Sequence, residues 1–151
     1  MTSANIPTAD SGALNRRVQS SFERQGMMVH LGAKLLRVES GLCEVALPHS
    51  EKVTQQQGGF HGGAMGALAD IAGGYAALTV APEGMEVTTV EYKINFMAAF
   101  AGGELRATGR VLKAGRRIIV TTADVVHVDG HGKVTDCAVM QQTLVPVPKT
   151  Y

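Results

Sequence analysis

Within residues 55–78, QQQGGFHGGAMGALADIAGGYAAL, a single carboxylate, Asp70, stands in a run of small and apolar residues. A charge on a segment apolar nearly all round must be paired, exposed or functional. Eight residues earlier the pair Gly62-Gly63 follows Phe60-His61. Glycines opening a helix leave backbone N–H groups free at the positive end of its dipole. Such donors can hold a developing oxyanion or a phosphate. The phosphate-loop patterns are missing: there is no GxGxxG, and no Lys-Ser/Thr follows the glycines.

Spacing separates the two features. Eight helical residues rise about 12 Å, too far for Asp70 to act on a carbonyl held at Gly62 of the same helix. If both serve one reaction, they come from two copies of the chain, and a two-fold dimer with facing helices supplies two such pairs.

The elements that must position these groups are legible as patterns. Residues 1–12 are small and polar, and little fixed structure is expected there. Leu14, Val18 and Phe22 recur every four residues, the stripe of a helix over 13–25 that Gly26 ends. Residues 29–38 alternate and predict a strand; residues 42–47 predict a second, stopped by Pro48. The long central helix follows, broken by Ala81-Pro82-Glu83-Gly84. Then come four strands: 87–97, with Val90, Tyr92, Ile94 and Phe96 on one face; 104–111; and two β-branched runs, 118–128 and 134–145, joined at Asp129-Gly130-His131-Gly132. Tight turns between consecutive strands imply an antiparallel sheet. One sheet and one very hydrophobic helix give an α+β fold, the antiparallel sheet wrapped around the helix. The division is 1–26 as lead and helix, 27–151 as the domain.

Composition narrows the function. The 151 residues are 45% hydrophobic, enough for one real core, and the net charge of +1 argues against a nucleic-acid partner. Nothing approaches the roughly 20 apolar residues of a membrane helix, and residues 1–19 lack the order of a secretory signal. Cys43 and Cys137 form no CxxC motif and fit a reduced, cytoplasmic compartment. His30 and His49 are lone histidines beside strands. His127 and His131 flank a turn that denies them a shared helical face, so no metal is expected.

The segment HGGAMGALAD, preceded by Gln55 and Gly58 and followed by TTVEYKINFMAA, resembles the hotdog-fold acyl-CoA thioesterases, in particular the phenylacetate-degradation (PaaI-like) branch. The resemblance runs over residues 27–145. It implies a helix as the sausage in a sheet as the bun, homodimers that commonly pair into tetramers, and a site at the dimer interface. It implies hydrolysis of an acyl-CoA to a free acid and coenzyme A, with no cofactor. Asp70 is then the catalytic carboxylate, as general base on water or as nucleophile. The Gly62 N–H polarises the thioester carbonyl, and His61 shapes the loop near it. Gln55 stands where many relatives carry a shorter Asn that positions water or substrate. Thr89 stands where relatives use Ser or Thr to hold the attacking water. Gly63 and Phe60 join the substrate-binding set. Lys113, Arg116 and Arg117 flank a turn and can bind the phosphates of coenzyme A. Phe60, Met65, Tyr75, Phe96 and Met97 can line an acyl pocket, although apolar residues more often simply fill a core. Two other readings are a hotdog enoyl-CoA hydratase, distinguished by loss of the conjugated thioester absorbance, and an acyl-CoA-binding module without turnover, which the Gln at position 55 favours.

Overall fold

The structure, a computed structural model, describes residues 10–151. The expectation for residues 1–9 lies outside that range. Helix α1 (Ser11–Glu23) begins one residue after Asp10, whose carboxylate caps it by accepting from the Gly12 N–H at 3.1 Å. Residues 11 and 12, expected to be unstructured, are therefore helical. Leu14, Val18 and Phe22 line the buried face of α1 and join the main core.

The strand expected over 29–38 is corrected in its first half. Residues Gly26–Leu31 form a short helix, α2, and the strand β1 is Lys34–Glu39. Alternation alone cannot separate the two over so few residues. The deciding residue is Gly32, whose φ of +77° ends α2 in the left-handed conformation that glycine adopts without strain.

Strand β2 (Leu42–Pro48) leads through a short 3₁₀ turn, Glu51–Val53, to helix α3 (Gly62–Leu78). Strands β3 (Met85–Phe96), β4 (Glu104–Ala114), β5 (Ile119–Val128) and β6 (Val134–Pro148) follow. All pairings are antiparallel, and the order across the sheet is β1-β2-β4-β5-β6-β3. Helix α3 packs on the sheet and is the centre of the core, with Ala69, Ala72, Ala76 and Leu78 fully enclosed.

The small residues of α3 have a specific complement on β4. A Cβ built on Gly109 would lie 2.1 Å from the Ala72 carbonyl oxygen and 2.5 Å from the Gly73 nitrogen. The helix backbone thus rests directly on a strand that has no side chain there.

Strand β3 is an edge strand, paired only with β6. A bulge between Thr89 and Glu91 leaves Val90 without a partner on β6. Val90 therefore does not share a face with Tyr92, Ile94 and Phe96 as the alternation suggests. The bulge lets β3 present residues from both sides of it to α3: Thr89 before, and after it Tyr92 and Phe96, whose side chains lie near Gly66 and Gly62.

Both cysteines are free and buried. Burial, with the Glu44 carboxylate adding to it, pushes the Cys43 thiol up to about 12. No helix among the described residues is long and apolar enough to cross a membrane.

Candidate active site

Asp70 lies in the middle of α3 and is half-buried. Two donors converge on one of its oxygens. Thr89 Oγ1 donates to Oδ1 at 2.8 Å, and Gln142 Nε2 donates to the same Oδ1 at 2.8 Å. Gln142 Nε2 also lies 3.3 Å from Thr89 Oγ1, so the three side chains form one cluster. Oδ2 accepts no hydrogen bond among the described residues. The carboxylate is therefore pinned by one oxygen while the other is free to act on a substrate or water.

Asp70 borders a cavity of about 400 Å³ whose lining includes Ser21 from α1, Gln25 at the start of α2, Tyr75 from α3, and Glu86 and Thr89 from β3. The Tyr75 hydroxyl receives a hydrogen bond from Gln25 Nε2 at 2.7 Å. Burial pushes the Tyr75 phenol above its ordinary 10.0, and its hydrogen bonds with Ser21 and Gln25 pull it partly back. A size of this order suits a small acyl group.

The start of α3 is built by His61, the N-cap, at φ −69° and ψ 136°. Its Nδ1 accepts from the Gly63 N–H at 2.7 Å. The Ala64 and Met65 amides both reach the His61 carbonyl, at 3.0 and 3.1 Å. Three of the first four amides of the helix are thus occupied. The Gly62 N–H has no partner among the described residues, which makes it the donor left for a ligand. The Phe96 ring lies beside it, 3.3 Å from where a Gly62 Cβ would stand.

The preceding loop is a self-contained turn. Gly58 N–H donates to the Gln55 carbonyl, Gln55 N–H to the Gly59 carbonyl, each at 2.9 Å, and the Gln55 side-chain oxygen accepts from the Gln57 N–H. The residues around it hold it in place: Phe60 N–H donates to the Phe100 carbonyl, and His49 Nε2 lies 3.0 Å from the Gly58 carbonyl.

The structure thus brings Asp70 and Thr89 together and sets Gly62, Gly63 and His61 at the helix tip. Gln55 spends its side-chain oxygen on its own loop. Phe60 is 2% exposed, packed edge-on against His49, and Met65 is buried as well. Phe96 and Met97 stand exposed at the sheet edge. Lys113, Arg116 and Arg117 are exposed at the β4–β5 turn. No cluster of His, Cys, Asp and Glu that could hold a metal occurs among the described residues.

Gln142 is the participant that the sequence reading missed. Its signal was present: on β6 the buried positions Ala138, Met140, Gln142 and Leu144 alternate, and one of the four is polar. A polar side chain at an inward strand position must find a partner.

A model of the thioesterase superfamily matches residues 57–133, the segment from the glycine loop through the β5–β6 turn. The proofreading thioesterase EntH of Klebsiella pneumoniae is 34% identical over 91 residues, 60% of this chain and 66% of that protein. The crystal structure of a thioesterase family protein from Silicibacter pomeroyi is 33% identical, with a TM-score of 0.86 over 90% of this chain and 99% of that one. The PaaI protein of the E. coli phenylacetic acid degradation operon superposes with a TM-score of 0.81 over 94% of this chain and 99% of that one, at 22% identity, a likeness of fold. With this match, these relatives and a six-stranded antiparallel sheet packed on one long helix, the chain belongs to the thioesterase superfamily: it is a hotdog-fold thioester hydrolase.

Proposed function

We propose that the substrate is an acyl-CoA and that Asp70 performs the hydrolysis against the Gly62 amide of a partner subunit. The observation that carries this reading is the state of the two groups: a carboxylate with one oxygen pinned and one free, and a helix tip with one unoccupied amide. Helix α3 is continuous from Gly62 to Leu78, so the two groups of one chain stay about 12 Å apart. A second copy with its helix facing the first brings one chain's amide to the other chain's acid. The surface for that copy is the free edge of β3, where Val90, Tyr92, Phe96 and Met97 are each about half exposed. Such dimers pair further into tetramers in this reading, in the cytoplasm.

The acyl group enters the cavity beside Asp70, and its carbonyl oxygen accepts from the partner subunit's Gly62 N–H. Asp70 Oδ2 takes a proton from water as the water oxygen bonds the carbonyl carbon, and the negative charge moves to the oxygen held by the amide. The C–S bond then breaks, and the thiolate leaves with the proton from Asp70. If Oδ2 instead attacks the carbonyl itself, the C–S bond breaks, the thiolate leaves and takes up a proton, and the mixed anhydride left on Asp70 is opened by water to two carboxylates; isotope from labelled water enters Asp70 in a single turnover only on that route. Thr89 holds Oδ1 in either case. His61 keeps the amides of the loop in order, and Gln55 holds the turn before it. Gly63 and Phe60 support the helix tip from behind. Lys113, Arg116 and Arg117 supply positive charge for the coenzyme A phosphates.

The test is thiol release from a panel of aromatic, short-chain and medium-chain acyl-CoAs by the wild type and by Asp70→Asn. The substitution keeps the size and removes the base, so turnover is expected to fall at least about a hundredfold. An Asp70→Asn enzyme working at the wild-type rate would overturn the assignment of the acid. Tight acyl-CoA binding without thiol release would support the binding-module reading instead.

A further inference from the structure

Gln142 is 0% exposed, yet its side-chain oxygen Oε1 has no hydrogen-bond partner. Neither has Thr121 Oγ1, on the residue directly opposite in the β5–β6 register. Buried polar atoms without partners are uncommon and call for a reason. The amide has two ends, and the structure spends the N–H end on Asp70 and Thr89. An ionised carboxylate only accepts, so the amide can face it only with its nitrogen. Turned the other way, Oε1 would oppose the Asp70 oxygen. The unpaired Oε1 is the consequence of turning the amide nitrogen to the acid.

The room for this amide comes from Gly73. It lies three residues after Asp70, on the same face of α3. A Cβ there would stand 1.9 Å from Gln142 Oε1 and 2.8 Å from Thr121 Oγ1. Any side chain at position 73 would push the amide out of its slot.

Resting on the assignment of Asp70 as the acid, we propose that Gln142 is its positioning residue: through the slot left by Gly73, its amide donates to Oδ1 of the carboxylate and so holds Oδ2 toward the substrate. A donor bonded to the charged form of an acid favours that form, and a second carboxylate in its place disfavours it. The titratable groups lining the cavities beside Asp70 are Tyr75 on its own helix and Glu86, Glu91 and Tyr92 on β3. Gln142 on β6, which bonds Asp70, and Thr121 opposite it on β5 are polar but not titratable. Gln142, like Thr89, is therefore an uncharged neighbour through which the acidic limb of the rate can be moved without changing the charge of the site.

The experiment compares Gln142→Leu, Gln142→Glu, Gln142→Asn and Gly73→Ala with wild type and Asp70→Asn, measuring kcat, KM and the pH dependence of kcat/KM. For Gln142→Leu, kcat is expected to fall about 10- to 100-fold with KM nearly unchanged. Its acidic limb is expected to move up, and that of Gln142→Glu further. Gly73→Ala, which keeps the residue Gln142 but pushes its amide out of the slot, is expected to move the limb in the same direction. Gln142→Asn retains an amide one methylene shorter and is expected to recover part of the kcat. An unmoved acidic limb in Gln142→Leu, whatever the change in stability, overturns the proposal, because a purely structural role would not touch that limb. Should Gln142→Leu not fold, an unmoved limb in Gln142→Glu and Gly73→Ala overturns it equally. If Asp70→Asn is inactive while the Gln142 variants match wild type, this proposal alone fails. If Asp70→Asn is fully active, the assignment of the acid fails first.

Discussion

The free amide at the tip of α3 can be deleted without disturbing the helix. Gly62 is the first residue of α3, the position where proline is favoured because its missing N–H is an orphan in any helix. The preceding residue must be extended, and His61 already is, at φ −69° and ψ 136°. Gly62→Pro therefore removes one proton donor and leaves the neighbouring bonds intact: Gly63 to the His61 ring, Ala64 and Met65 to the His61 carbonyl. At Cβ the steric consequence is a few tenths of an ångström of movement by the Phe96 ring, which is half exposed and able to move. Folding stability should change by no more than about 1 kcal/mol, since the loss of chain freedom in the unfolded state favours the variant. For a chain of this size that is a Tm change of about 2–4 °C. Loss of an oxyanion donor lowers kcat about 10²- to 10³-fold, or about 2.7–4 kcal/mol. The assay is thiol release at saturating acyl-CoA, paired with a calorimetric Tm. Gly62→Ala, which keeps the N–H and meets the same Phe96 ring, is the control and should stay within about tenfold of wild type in the same assay. A Gly62→Pro protein with unchanged Tm and unchanged kcat would refute the role given to this amide.

Two further outcomes concern the framework. Gly109→Ala sets a methyl 2.1 Å from the Ala72 carbonyl, against helix backbone that cannot rotate away, so α3 must lift from the sheet; we expect a loss of about 3 kcal/mol and a Tm lower by about 6–12 °C, read by calorimetry. A Tm unchanged within about 2 °C would mean that the close approach of α3 and β4 does not support the fold. Cys43 is fully enclosed with its thiol pushed to about 12, so native protein should show no Cys43 labelling by a thiolate-directed reagent at pH 8 and full labelling once unfolded. The linked stability has a definite sign. The unfolded thiol ionises near 9.0 and the folded one near 12, so above pH 9 the unfolded state binds fewer protons, and the contribution present below pH 9 is lost as pH rises towards 12. Rapid labelling of Cys43 in the native state would show that the β2 region opens readily.

Much of the fold could be read from patterns because its elements are long and strongly periodic. The run of small residues ending at Leu78 could hardly be anything but a buried helix, and the β-branched runs near the C-terminus are strands on any reading. The first half of 29–38 failed because three residues of alternation fit a short helix as well as a strand, and the turn at Gly32 decided between them. The face of β3 failed at Val90 because a bulge has no reliable local signature; it shows only when the strand is laid against β6.

The sequence by itself determined which chemistry was available. A lone acid on an apolar helix and glycines at that helix's start are facts of composition and order, and the eight-residue spacing forbids both from meeting on one chain. Tertiary structure alone decided which atoms are free to act. Thr89, Gln142 and Asp70 come from three elements, and only packing brings two donors onto one carboxylate oxygen and leaves the other bare. Likewise, only the fold of the loop shows that His61 occupies the Gly63 amide and leaves Gly62 its own. The physical reason is the short range of the hydrogen bond: its partners are set by ångströms in space, and residues 72 positions apart, such as Gln142 and Asp70, carry no trace of that proximity in their order along the chain.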